Sequence, residues 1–179
     1  MIMSNPLITI FQLIVLIFSV MIHEISHGAM ALKFGDTTAK DAGRLTLNPF
    51  RHIDPIYSVL LPLILMLSGA PVFGMAKPVP VNPFNLKNPI KQYVLVGLAG
   101  PLSNFLLALI FGLFLRIFPL VSDTLSTPLI LGFQIIVLVN ISLGVFNLLP
   151  IPPLDGSSFL FSFLRDDSSL KIFLSRYGF

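Results

Sequence analysis

Residues 21–28 read Met21-Ile22-His23-Glu24-Ile25-Ser26-His27-Gly28 and contain the pattern H-E-x-x-H. On a helix, positions four apart lie one turn apart on one face, so His23 and His27 project side by side. Two imidazoles so placed can grip one zinc ion. Glu24 beside them is placed to take a proton from a metal-bound water rather than to bind the metal. The setting is unusual, because the sixteen residues from Leu7 to Ile22 carry no formal charge. The motif sits at the deep end of an apolar run, where an uncompensated charge is costly.

A catalytic zinc takes three protein ligands and keeps a fourth position open for water. The chain has no cysteine and three histidines, so disulfides and thiolate sites are excluded and the third ligand is His52 or a carboxylate. His52 lies in a polar loop beside Arg51 and Asp54, where a solvated or loop-bonded histidine is the ordinary outcome. Asp155 follows Pro150, Pro152 and Pro153 among apolar residues, and an ionisable group at membrane depth is a functional candidate by default. Its bland role is to cap a short helix over 156–164. Ligation is the favoured reading, and the two roles are compatible. Glu24 has no basic residue within a turn to pair with, which favours the general-base role. Asn147, two turns upstream of Asp155, suits either a hydrogen bond to a substrate carbonyl or oxyanion or packing between helices. For Asn140 the packing role is favoured.

The elements that must position these residues are membrane elements. Apolar residues make up 55% of the 179, charged residues 11%, and mean hydropathy is +0.92. Those values place the chain in the membrane class with room for one domain over 1–179. The pI of 9.5 rests on scattered basic residues and implies no nucleic-acid partner. Leu7 to Phe34 reads as one apolar helix, longer than the roughly 20 residues a bilayer needs, and Gly35-Asp36 ends it. No Lys or Arg precedes it, so a cleaved signal peptide would lack its basic start, and cleavage would remove the H-E-x-x-H. Residues 35–55 form a polar loop, in which Arg44-Leu45-Thr46-Leu47 alternates as a short strand would. Residues 56–75 are apolar but broken by Pro62, Gly69 and Pro71, and 77–83 is proline-rich and expected to be extended. A second span runs from Tyr93 to Ile117, with Gly97, Gly100, Asn104, Ala108 and Gly112 forming a small-residue packing face. A third runs from Leu129 to about Leu149. Leu170, Phe173, Leu174 and Tyr177 then recur at helical spacing, as in an interfacial helix.

The chain is therefore expected to be an all-α polytopic membrane protein with three strong spans, a re-entrant segment and an interfacial C-terminal helix. If 56–75 enters the membrane without crossing, ten of the eleven basic residues fall on one side, with Arg116 alone opposite. The positive-inside rule makes that side cytoplasmic. The same arrangement brings His23, His27 and Asp155 to similar depth.

These residues resemble the site-2 proteases, the intramembrane zinc metalloproteases of peptidase family M50, in a short prokaryotic form. The resemblance rests on His23-Glu24-Ile25-Ser26-His27 and on Asn147-Leu148-Leu149-Pro150-Ile151-Pro152-Pro153-Leu154-Asp155-Gly156. Gly43-Arg44-Leu45-Thr46-Leu47-Asn48-Pro49, Ala76-Lys77-Pro78-Val79-Pro80-Val81-Asn82-Pro83 and Ala99-Gly100-Pro101-Leu102-Ser103-Asn104 support it, in the expected order along nearly the whole chain. It implies one zinc per chain bound by His23, His27 and Asp155, with Glu24 activating water and Asn147 helping to hold a membrane-spanning protein or peptide substrate. It also implies that 56–75 and 76–83 act as membrane-embedded β elements that unwind a substrate helix by strand addition. Two departures stand out: no residues are left for a PDZ or CBS module, and relatives continue into a further apolar helix beyond Phe179. A truncated chain and a minimal member are both consistent with that.

The competing class is a zinc-binding membrane protein without hydrolysis, either a metal carrier or a pseudoprotease scaffold. A carrier should show internal repeats or polar groups strung along a path, and a pseudoprotease should lack Glu24 or a ligand. Neither pattern is present in the sequence.

Overall fold

The computed structural model describes residues 6–60, 64, 67–68, 77–118, 127–164 and 168–177. Among these, three helices are long and apolar enough to cross a membrane. The first, α1, spans Pro6–Lys33 and matches the expected Leu7–Phe34 run to within a residue. It stops where Gly35 takes φ +103°, a left-handed turn that glycine adopts without the steric cost of a Cβ. A four-residue helix, α2, follows at Thr38–Asp41. Further on, Pro89 at the first helical position and Asn88 at the cap open α3, Pro89–Ile117. α4 spans Thr127–Asn147, α5 Gly156–Phe163 and α6 Ser169–Tyr177. α3 packs against both α1 and α4, and α1 also meets α4.

The packing is inside-out relative to a water-soluble bundle. α1 buries Val15, Ser19, His23, His27 and Ala31, one residue every four along a single stripe. α3 presents Val96, Ala99, Gly100, Asn104 and Ala108 to the interior, and α4 presents Ile135, Asn140 and Gly144. Outward faces carry Leu13, Ile17, Leu102, Leu109 and Leu138, all exposed. Small and polar groups inside with large apolar groups outside is the arrangement that hydrocarbon as solvent selects, since backbones must approach closely and polar groups must find one another. Gly144 serves that close approach: a Cβ there would lie 2.9 Å from the Phe105 ring.

The long connection between α1 and α3 returns to its starting place. Lys77 N donates to His52 O at 2.9 Å, so the chain leaves and re-joins the same end of the bundle. Pro55–Leu60 is a π-helical stretch. Most of the expected re-entrant segment 56–75 lies outside the described residues. Two expectations of β structure need correction, because no strand occurs among the described residues. At 44–47 the chain bends instead. Gly43 turns it at φ +63°, and Arg44 folds inward to donate to the carbonyls of Arg51, Lys77 and Pro78. Residues 77–82 are extended as expected but form no ladder, since Pro78 and Pro80 have no N–H to give.

That extended strap is tied down by Asp36. Its buried carboxylate accepts from Thr38 N at 3.1 Å, Asn82 N at 2.8 Å and Asn85 Nδ2 at 2.8 Å, and from the Thr38 hydroxyl. Burial pushes the Asp36 carboxyl up, but the bonds from Thr38, Asn85 and Asn82 outweigh it and hold the group below the usual carboxylate range. The stabilisation is therefore complete above the ordinary Asp range and is lost as pH falls through the lowered value. In detergent, the wild-type melting temperature should fall on acidification past that range. Asp36→Asn should start lower, by the equivalent of about 1–3 kcal/mol, and show a weaker acid dependence.

Candidate metal centre

His23 and His27 lie in the buried stripe of α1, only 6% and 8% exposed. Their rings are held edge to face with centroids 4.7 Å apart, and their tautomers follow from what each Nδ1 meets. His27 Nδ1 lies 2.7 Å from the Val96 carbonyl, which can only accept, so this nitrogen carries the proton. His23 Nδ1 lies 2.6 Å from Asn104 Oδ1. Asn104 is oriented with its oxygen toward the ring because its Nδ2 donates to Asn140 Oδ1 at 2.9 Å. With each Nδ1 so engaged, it is Nε2 of each ring that is left to face the cluster, and the two Nε2 atoms lie 3.1 Å apart.

Asp155 completes the set. Pro150, Pro152 and Pro153 end α4, and the chain turns back so that α5 starts at Gly156. A Cβ on Gly156 would run into the Leu148 carbonyl, so only glycine lets this turn close. α5 then rests on α3 where Ser158 fills the space left by Gly97. The result puts Asp155 Oδ2 2.9 Å from His23 Nε2 and Oδ1 3.3 Å from His27 Nε2. Asp155 occupies the cap position of α5 without any side-chain capping bond, so its carboxylate is turned to the histidines and not to the helix start.

Three electron-pair donors from His23, His27 and Asp155 thus lie within 4.8 Å of one another. Asp155 Oδ2 is buried and accepts no hydrogen bond, although an imidazole nitrogen is adjacent. Electron-pair donors converging in this way on a carboxylate need a proton or a metal cation among them. Tetrahedral ligands at zinc bond lengths stand about 3.3 Å apart, and the spacings here are 2.9–3.3 Å. The donor set fits zinc.

Gly100 of α3 makes the room. A Cβ there would lie 2.6 Å from both His23 Nε2 and His27 Cε1 and would also strike His27 Nε2. Glu24, next to the first ligand, accepts from Val79 N at 2.8 Å through Oε2, so one carboxylate oxygen is fixed by the strap. Gly28 lets the strap approach, since a Cβ there would meet Val79 and Leu45 side chains at 2.8 and 2.7 Å. His52 is elsewhere: its Nε2 meets Thr46 O at 2.9 Å, and it is buried rather than solvated. Asn147 is not drawn to the cluster, and its Nδ2 donates to Leu143 O within α4 at 3.0 Å. Asn140 has the packing role expected of it, bonded to Asn104 and, through Nδ2, to Ser19 Oγ at 2.9 Å. The sequence places Gly100 and Asn104 on a packing face; what it did not reveal is that Gly100 makes room for both imidazoles and Asn104 orients the His23 ring. Their signal was that a polar Asn stood in an otherwise small and apolar stripe. Nothing in the pattern pointed to Val96 O or Val79 N, because backbone groups carry no sequence mark.

Fold and site define a protein with three potential membrane spans and a His-His-Asp cluster, built on H-E-x-x-H, that could hold a metal ion. The chain belongs to peptidase family M50, whose family pattern matches residues 11–126 and 114–173. A Bacillus subtilis protein named "Putative zinc metalloprotease YwhC" is 44% identical over 151 residues, covering 82% of this chain and 65% of that protein. Proteins named Rip2 with the same description are 34% identical in Mycobacterium tuberculosis (84% of this chain, 56% of the relative) and 35% identical in Mycolicibacterium smegmatis (78% and 52%). The chain thus spans between about half and two-thirds of the length of these relatives. No solved structure matches it.

Two substitutions test the centre by metal content. Gly100→Ala should leave the helices formed but displace the imidazoles, with zinc affinity falling more than tenfold. Asn104→Ala frees the His23 ring and should weaken zinc binding by about 10–100-fold, measured by competition with a chromophoric chelator.

Proposed function

We propose that the chain is an intramembrane zinc-dependent endopeptidase that hydrolyses peptide bonds of membrane-spanning substrates. The observation that carries this reading is the convergence, within the apolar bundle, of two fixed-tautomer imidazoles and Asp155 beside a carboxylate that is not a ligand. One zinc per chain, held by His23, His27 and Asp155, would supply Lewis-acid polarisation of the scissile carbonyl and lower the pKa of a water to about 7. The chain's own residues do the rest. Glu24 takes the proton from the attacking water on the oxygen that the strap leaves free and returns it to the leaving amine. Val79 N–H keeps that carboxylate from rotating away. Asn147 has a second amide hydrogen and a carbonyl oxygen with which to hold an unwound substrate strand. Residues 1–179 act as one core domain embedded in the bilayer, with 56–75 re-entrant and α6 at the interface. The basic loops and the active-site end face the cytoplasm of a prokaryotic cell.

The test is cleavage of a single-span model substrate in liposomes, with zinc measured on each variant. Wild type should cut, and chelation should stop cleavage until zinc is restored. Glu24→Gln should retain zinc and lose about 10²–10⁴-fold in rate. If Glu24→Gln cuts as fast as wild type, Glu24 is not the base. If the wild-type chain binds zinc and cuts nothing across several substrates, even with the additional length found in its relatives, the non-hydrolytic reading takes its place. Val79→Pro removes the N–H on Glu24, together with the valine side chain that packs over Gly28, and should lower kcat with zinc content unchanged.

A further inference from the structure

Arg44 is a buried cation that pairs with no carboxylate among the described residues. It is only 6% exposed, and its guanidinium donates to three carbonyls, those of Arg51, Lys77 and Pro78. No carboxylate bonds to it among the described residues, and its buried Nε has no hydrogen-bond partner. Taking a guanidinium out of water with neutral acceptors alone leaves much of its desolvation cost unmet. The same residue lines a cavity of about 470 Å³, together with Phe50, Arg51, Ile53, Lys77 and Pro78, a volume typical of small-ligand sites. Three of the lining residues are cationic and none is acidic. That excludes an amine or metal ligand and calls for an anion.

We propose that this cavity binds a phosphate group, presented by an anionic phospholipid. Arg and Lys together match the geometry and charge of a phosphate, Arg by paired N–H donors and Lys as a point charge. The source follows from the apolar neighbours. Phe50 and Ile53 at the rim are 80% and 41% exposed, and Leu47 and Ile56 beside them are 64% and 58% exposed. Large apolar side chains that stand bare next to a cationic cleft suit a bilayer surface, with acyl chains against the apolar groups and the phosphate at the depth of the cations. The site backs directly onto the strap: Pro78 lines it, and the next residue, Val79, holds Glu24. Binding here does not depend on whether the chain hydrolyses anything.

The experiment is native mass spectrometry of the intact chain in neutral detergent. Phosphatidylglycerol and phosphatidylcholine of identical acyl chains are titrated separately, and inorganic phosphate forms a third arm. The double variant Arg51→Gln/Lys77→Gln keeps the backbone carbonyls that Arg44 uses. Lys87→Gln/Lys91→Gln makes the same change of net charge elsewhere. Phosphatidylglycerol should bind wild type in preference to phosphatidylcholine, and the double variant should lose about 30-fold in affinity, as expected for two interfacial cations. The Lys87/Lys91 control should keep it. Inorganic phosphate that binds wild type as well as the lipid does, and fails on the double variant, would support the anion site and assign it to free phosphate. Equal binding of the two lipids without phosphate binding, or an equal loss in the control, would overturn the site. Unchanged circular dichroism of the double variant separates loss of the site from loss of the fold.

Discussion

The structure depends on one hydrogen-bonded chain of buried polar groups that runs across all three long helices. Ser19 of α1, Asn140 of α4 and Asn104 of α3 are linked in series and end on Nδ1 of His23. Each member is buried to 4% exposure or less apart from the imidazole itself. In an apolar surround an unsatisfied amide costs several kcal/mol, so the helices come together in the arrangement that closes this chain. The same closure fixes the proton on Nδ1 and bares Nε2 toward Asp155. Helix association and ligand preparation are one event here. The small residues of α3 are permissive: they bring the backbones close enough for short amide side chains to reach.

The sequence was most informative where the solvent is hydrocarbon. The three spans could be read from apolar runs and their stops, because Gly35 and the Pro150–Pro153 stretch leave a helix few alternatives. His23, His27 and Asp155 stood out as candidate ligands from residue type, spacing and depth, and the structure brings the three together. Asn104 and Gly100 were visible as packing residues and as part of a family motif, but not as neighbours of the histidines. Their part in the centre depends on the rotation of α3 against α1, which no local pattern encodes. The failed strand at 44–47 shows the opposite limit. Its alternation was genuine, but a strand needs a neighbour with free donors, and the nearest extended segment offers prolines. The buried state of Arg44 was illegible for the same reason: three carbonyls from distant loop segments create it.

The loops outside the bundle act as a second scaffold that holds Glu24 and not the His-His-Asp cluster. Asp36 anchors the far end of the strap, Arg44 gathers its near end against the 51–52 turn, and Gly28 lets it lie on α1 beside the motif. The His-His-Asp cluster and Glu24 are thus positioned by separate parts of the chain. The two histidines belong to α1, packed within the bundle, and the Glu24 carboxylate answers to a loop at the bundle's end.

The proline spacing in the strap also determines its register. Val79 lies between Pro78 and Pro80, so its N–H is the only backbone donor over those three positions. A slip of the strap by one residue in either direction would present Glu24 with a proline nitrogen, which has nothing to donate. A slip by two would bring Glu24 another N–H, from Lys77 or Val81, but would break the Asn82 bond to Asp36. The segment therefore has a single seating on the carboxylate, as a key with one cut tooth has in its lock. The rigidity of that seating comes from donors that are missing rather than from contacts that were added.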